Sequence, residues 1–400
     1  MNKLQFENDV CVIGGCGHVG LPLAILFAQK GLKVQIYDIN EDVIRVVKKG
    51  KMPFSENGAE EVLKSVIGKS LFPGSDPQVI SKSRFVIVVV GTPVDEHLNP
   101  QFTLIKDFFR GLLQHFRDGQ NIILRSTVFP GTTEKINDFF KDNGIHVNVA
   151  YCPERIAQGK AMEELTELPQ IVSGFDSEGI ENVAGLFKTL TRDIVVLEPI
   201  EAEIAKLFTN TWRYIQFAIA NQFYMIATAC GLDFYKIFDA IKYKYPRAQN
   251  FPPAGFAAGP CLFKDTMQLA AFNNNTFFLG HSAMLINEGL PNFIVQQLKT
   301  VHSVKDKTIG ILGMGFKANI DDKRESLAYK LKKILEIEAK KVICSDVYIK
   351  EPDFVSTQEL VREADIIIIG VPHKEYADLD MKSKTIVDIW NLQGKGGFAL

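Results

Sequence analysis

The chain has 400 residues, 46% apolar and 23% charged, with a formal charge of −2. That length exceeds one ordinary core, because domains commonly close at roughly 100 to 200 residues, so two or three domains are expected. The near-neutral balance excludes an overall pull toward nucleic acid or an acidic membrane surface. The longest aliphatic runs, FVIVVV at 85–90 and IIIIGV at 366–371, are strand-sized and fall short of the ~20 residues that span a bilayer. The start, MNKLQFENDV, lacks the apolar stretch of a secretory signal, so a cytoplasmic, non-membrane protein is expected. Six cysteines lie scattered, with no C-x-x-C and no His at zinc-ligand spacing; reduced thiols and no metal site follow.

Through the first ~150 residues strand-like runs alternate with helix-period segments. DVCVIG leads to LPLAILFAQKG and then KVQIYDIN, followed by RFVIVVVGTP, NIILRST and IHVNVAYCPE. Strands apolar on both faces and separated by helices predict a parallel sheet covered on both sides.

Gly15-x-Gly17-x-x-Gly20 closes the first strand and opens a helix. Glycines there permit a tight turn, close backbone approach to a pyrophosphate and close helix packing, while the helix N-terminus supplies N–H donors. His18 and Val19 complete that turn. Asp38, 18 residues past Gly20, ends the second strand, where a carboxylate accepts a ribose 2′-hydroxyl and repels a 2′-phosphate. The expected cofactor is NAD rather than NADP. Thr92 in GTPVD and Thr127 in RSTVFPG also follow strands, and either face the nicotinamide half or only shape their turns. Glu154 in CPER sits just past a strand, with Arg155 beside it to hold a carboxylate or a substrate anion, or to form a surface pair.

From about Glu201 to Gln297 the pattern turns helical, with Gly231 a stop for the first long helix. Lys206, Asn210 and Arg213 are spaced i, i+4, i+7 on it, and Asn221 lies within about 60° of Lys206 at 3.6 residues per turn. That polar face either meets solvent or lines a cleft. From Lys307 the alternation returns in KTIGILGMG, KVICSDVYI, ADIIIIGVP and KTIVDIW. GILGMGFKANIDD lacks the third glycine, so a second NAD site is not expected, and Lys317 either holds a nucleotide or phosphate or is a solvated surface residue.

Cys261 follows the small-residue run AGFAAGP and precedes LFKDT. A helix beginning there would set its sulfur at the positive end of the dipole, with Lys264 and Asp265 one turn on, yet from this segment alone a buried and inert thiol is the stronger reading. Gly259 and its small neighbours leave room for a ligand to approach.

These segments together resemble the nucleotide-sugar 6-dehydrogenases of the UDP-glucose, UDP-N-acetylmannosamine and GDP-mannose dehydrogenase superfamily. GGCGHVGLPLA, GTPVD, RSTVFPGTTEK, AYCPERIAQGK, AKLFTNTWRY, YPRAQNFPPAGFAAGPCLFKD and GMGFKANIDDKRES carry the resemblance nearly end to end. CPER, PR and FKANIDDKRES look nearer the UDP-N-acetylhexosamine enzymes.

The resemblance implies a mixed α/β fold: two Rossmann-like parallel-sheet domains joined by a long central helix and a helical middle domain. The expected boundaries are 1–198 for NAD, 199–300 for the helical and dimerising part, and 301–400 for the UDP-sugar. It implies Cys261 as nucleophile, Lys206 and Asn210 at the reacting oxygen, Asp265 positioning water, Glu154 in thioester hydrolysis and Thr127 in the catalytic set. Substrate contacts would come from Arg155, Arg213, Arg247, Gly259, Lys317 and Arg324, in a homodimer. Trp390 stands where many relatives carry an Arg, which puts sugar-nucleotide contacts from that end in question. The rival readings are a UDP-glucose enzyme, a two-electron hydroxyacid-type dehydrogenase and a non-catalytic sensor.

Overall fold

The computed structural model describes residues 6–91, 102–381, 384–394 and 398–399. They form two compact units, Met1–Phe208 and Thr209–Leu400, divided inside the 31-residue helix Pro199–Ala229.

The first unit is built on a six-stranded parallel sheet. Its strands are β1 (Asn8–Ile13), β2 (Val34–Tyr37), β3 (Leu71–Gly74), β4 (Ser83–Val88), β5 (Asn121–Leu124) and β6 (Asn148–Tyr151), in the order β3-β2-β1-β4-β5-β6. Consecutive residues of β1 from Val10 to Ile13 are all buried, as the unbroken apolar run requires of a strand covered on both faces. One face packs on the helix Gly20–Gln29, which is apolar nearly all round and buried from Gly20 to Ala28. The order reverses between β1 and β4, and an open α/β sheet forms its ligand crevice beyond the strand ends at such a reversal. A separate parallel pair, β7 (Gln170–Ser173) with β8 (Ile194–Leu197), completes the unit.

The second unit holds β9 (Thr308–Leu312), β10 (Lys341–Ser345), β11 (Ile366–Ile369), β12 (Thr385–Val387) and β13 (Phe398–Ala399), in the order β10-β9-β11-β12-β13. All are parallel except β13. The helices of the middle section share a core with this sheet: Tyr224, Leu290 and Ile294 pack in one cluster with Ile309, Ile311 and Ile366. The long helix stops as its sequence predicts. Gly231 is left-handed at φ +69°, and the Leu232 N–H reaches back to the Ala227 carbonyl at 2.9 Å. Among the described residues no helix is long and apolar enough to cross a membrane.

Candidate active site

The first glycine turn has the shape a dinucleotide needs. A Cβ on Gly20 would stand 2.6 Å from the Gly15 Cα, so the helix can start this close to the turn only with glycine at 20, and a Cβ on Gly15 would meet the Val12 carbonyl oxygen at 2.8 Å. At Gly17 an added Cβ would meet only the Gly14 carbonyl oxygen at 3.8 Å, which leaves the backbone open to an approaching ligand. Asp38 follows β2 directly. Its Oδ2 accepts from the Cys16 N–H at 3.0 Å and its Oδ1 from the Asn40 N–H at 3.0 Å, and the half-buried carboxylate keeps acceptor capacity for a hydroxyl. His18 lies against the Phe54 ring and shares a hydrogen bond with Gln158, so the turn is also held from its side chains. Val19 precedes the helix as its cap residue.

Glu154 is 8% exposed and fully engaged. The Arg125 Nε donates to its Oε2 at 2.8 Å, and the Arg155 and Ile156 N–H groups donate to its Oε1 at 2.7 and 2.9 Å. Its ionic partner is therefore Arg125, itself 1% exposed, and not the neighbouring guanidinium that the sequence offered. Arg155 sends its guanidinium to the Pro169 carbonyl, and burial holds it below the ordinary value against the pull of Glu154. Thr127 lies three residues past β5, half-buried.

Glu203 was not singled out by sequence. It accepts from the N–H of Gly131 at 2.5 Å and of Thr133 at 2.7 Å, and thus caps the helix Thr132–Asp142 that follows the RSTVFPG turn. Burial pushes its carboxyl up, opposed by those hydrogen bonds.

In the second unit Cys261 is the cap residue of the helix Leu262–Phe272 and its side chain is exposed. Of the other five cysteines Cys230 is also exposed, and four are not. Cys11, Cys16, Cys152 and Cys344 are buried, and desolvation pushes each thiol up to about 12, so they stay protonated and inert at neutral pH. Asp265, one turn past Cys261, is completely buried; it accepts from the Asn210 Nδ2 at 2.6 Å and pairs with the Lys264 Nζ at 2.9 Å. Asn210 and Asp265, 55 residues apart in sequence, are thus brought together as a hydrogen-bonded pair beside the helix that Cys261 opens.

The loop before Cys261 is held at three points. The Asn221 amide bonds the Gly255 backbone in both directions, at 2.8 and 3.0 Å, and is itself set by Asn287. Asn221 is therefore a buried scaffold residue rather than a cleft-lining one. Trp390 packs against Gly255, where an added Cβ would stand 2.1 Å from its ring, and its Nε1 donates to the Gly370 carbonyl. Trp390 thus braces the cysteine loop. The room expected on the side-chain face of Gly259 is not open to a ligand: the Phe316 ring fills it, 2.6 Å from a would-be Cβ, so the missing side chain serves close packing, and the Gly259 N–H donates to the Glu325 carbonyl at 3.3 Å.

Those contacts join the cysteine loop to the segment carrying Lys317, which is half-buried, and Arg324, which is exposed. The Asp322 carboxylate binds Arg324 through Nε and Nη2 and raises its value above the ordinary one, against burial and with a smaller contribution from Cys261. Lys206 is 8% exposed on the long helix, one turn before Asn210. Arg213 is exposed on that helix, and the exposed Arg247 stacks on Tyr245 and donates to its hydroxyl at 2.8 Å. Thr92 lies outside the described residues.

A parallel sheet of this strand order, with the glycine turn after β1 and Asp38 after β2, has the architecture of a dinucleotide-binding unit, and a second α/β unit follows it in the chain. The chain belongs to the UDP-glucose/GDP-mannose dehydrogenase family: its NAD binding domain matches residues 8–191, its central domain 200–288 and its UDP binding domain 310–395. This is a family of NAD-dependent nucleotide-sugar dehydrogenases. The chain is 30% identical to the UDP-N-acetyl-D-mannosamine dehydrogenase of Methanocaldococcus jannaschii, over 98% of this chain and 94% of that one. A solved UDP-N-acetylmannosamine dehydrogenase from Pyrococcus horikoshii superposes with a TM-score of 0.89 at 28% identity, covering 96% of each chain. A UDP-glucose dehydrogenase from Pyrobaculum islandicum shares the fold, with a TM-score of 0.86 at 23% identity over 97% of this chain and 95% of that one.

Proposed function

We propose that the protein oxidises C6 of a UDP-N-acetylhexosamine, UDP-N-acetylmannosamine foremost, from alcohol to carboxylate as a precursor of surface polysaccharide. The observation that carries the reading is Cys261, exposed at the start of its helix and followed one turn later by the buried Asp265–Asn210 pair. The names of the relatives supply the sugar. In function, residues 1–198 hold NAD, 199–300 supply the middle helices and 301–400 hold the nucleotide.

NAD+, when bound, accepts one hydride in each of the two oxidations. The first turns the C6 alcohol into an aldehyde and a proton. The Cys261 thiolate then adds to the aldehyde carbon, and loss of the second hydride leaves a thioester. Water cleaves the thioester, releasing the carboxylate and returning the thiol; the whole conversion consumes one water and releases two hydrides and three protons.

Lys206 and Asn210 stabilise charge that develops on the reacting oxygen. Asp265, fixed by Asn210 and Lys264, orients water, and general acid–base help of this kind is worth about 10² to 10⁴ in rate. Glu154, held by Arg125 and two backbone N–H groups, serves thioester hydrolysis, with Thr127 in the catalytic set. Arg155, Arg213, Arg247 and Gly259 contact the sugar side, and Lys317 and Arg324 the nucleotide. A stripe of exposed apolar residues on the long helix, Trp212, Ile219, Phe223 and Ile226, supports a homodimer, and the free cysteines support a cytoplasmic setting.

Cys261→Ser and Cys261→Ala are the test. Either should lower uronate formation by at least about 10³, the scale of losing a covalent nucleophile. Uronate made at the wild-type rate by either variant rules out the covalent role.

A further inference from the structure

The second glycine turn is closed from inside by a histidine. Gly313 leaves β9 at φ +90°, and the next two N–H groups, of Met314 and Gly315, point at the Asp346 Oδ2 at 2.6 and 3.2 Å. Tyr348 and Ile349 N–H groups take its Oδ1 at 2.7 and 2.9 Å. The His373 Nε2 meets the same Oδ2 at 3.2 Å, and both side chains are 0% exposed. On its far side the His373 Nδ1 faces the Asn319 N–H at 2.9 Å. An amide N–H can only donate, so Nδ1 is the acceptor and the ring proton sits on Nε2, aimed at Asp346.

Asn319 returns the contact. Its backbone is left-handed at φ +60°, and its Oδ1 accepts from the Lys374 N–H at 3.1 Å. The ring itself is packed between Tyr348 and Tyr376, with centroids 5.0 and 5.4 Å away. His373 therefore ties the end of β10 to the middle of the loop that runs from Gly313 to Arg324. It also gives Asp346 the hydrogen bond that a bound hydroxyl would give Asp38 in the first unit.

We propose that His373 is a positioning residue for the nucleotide: by bridging Asp346 and Asn319 it fixes the 313–324 loop in its binding conformation. Phe316, Lys317 and Arg324 are presented by that loop, and the inference rests on the reading of Lys317 and Arg324 as nucleotide contacts. A loop without the bridge samples many conformations, and one that is competent about a tenth of the time weakens apparent affinity about tenfold.

The test is calorimetric titration of the full-length protein with UDP and, separately, with NAD+, for wild type, His373→Leu, His373→Phe, Asn319→Gly and Lys317→Ala. His373→Leu should weaken UDP about tenfold and leave NAD+ affinity within about twofold, with kcat at saturating UDP-sugar largely kept. A role confined to general stability would lower both affinities together. Asn319→Gly keeps the left-handed backbone and the N–H that meets His373 and removes only the Lys374 link, so it should weaken UDP by no more than about threefold; His373→Phe, which keeps a ring and loses both nitrogens, should weaken UDP about tenfold and serves if His373→Leu does not fold. UDP affinity equal to wild type in folded His373→Leu or His373→Phe, with Lys317→Ala weakened, overturns the role of His373 and leaves the loop assignment standing. Wild-type UDP affinity in Lys317→Ala overturns the loop assignment and the inference with it.

Discussion

The two glycine turns begin alike and end differently. In each, a strand is followed by a glycine whose N–H bonds the neighbouring strand's last carbonyl, Gly14 to Tyr37 and Gly313 to Ser345, and the neighbouring strand is followed by an aspartate. In the first unit the helix starts at Gly20, and Asp38 is left half-buried with capacity to spare. In the second the chain runs on to Leu327 before turning helical, and Asp346 is sealed by two loop N–H groups and His373. A glycine turn thus specifies a dinucleotide site only when its aspartate is left for the ligand. The second turn keeps the architecture and uses it to brace a loop.

The largest effect that separates the two comes from Gly20→Val. Its branched side chain has no space beside Gly15, so NAD+ binding and NADH formation should fall below detection while UDP binding is kept. Parallel loss of UDP binding would mean that the two turns are not independent. Asp38→Ala is next. It removes a charged acceptor worth about 1.5–3 kcal/mol, and NAD+ should bind about 10- to 100-fold more weakly, with unchanged UDP affinity.

The smallest effect is in acid. Burial opposes ionisation of Asp346, but hydrogen bonds from His373, Met314 and Ile349 outweigh it and hold the carboxyl below its ordinary value of 3.8. A depressed carboxyl stabilises the folded state above the unfolded value and loses that contribution as pH falls through the folded one. Asp346→Asn should therefore melt below wild type at neutral pH, with the gap in Tm narrowing as pH drops under 3.8. A gap that stays constant down to full protonation contradicts the depressed value.

What sequence could show follows the same division between local and distant. The glycine triplet, Asp38, the helix stop at Gly231 and Cys261 at a helix start are all local patterns, and each is legible because spacing along one strand or helix fixes it. Arg125 with Glu154, Glu203 with Thr133, Asn221 with Gly255 and His373 with Asp346 are separated by 27 to 70 residues. Each is a buried polar group whose partner is chosen by the packing of different elements, and no periodicity records it. Arg155 shows the cost: the adjacent cation was the natural partner for Glu154, and the tertiary structure supplies Arg125 in its place. A buried-looking charge next to a strand end, such as the Arg of RSTVFPG, was the one available signal. Trp390 was visible as a departure, but its purpose became visible only against Gly255.

The central claim is a four-electron oxidation on one protein. The measurement that tests it most directly is the ratio of NADH formed to UDP-N-acetylmannosamine consumed at complete conversion, with the product identified by mass spectrometry. The account predicts two NADH per sugar and a uronate product; one NADH per sugar with an aldehyde or ketone product contradicts it.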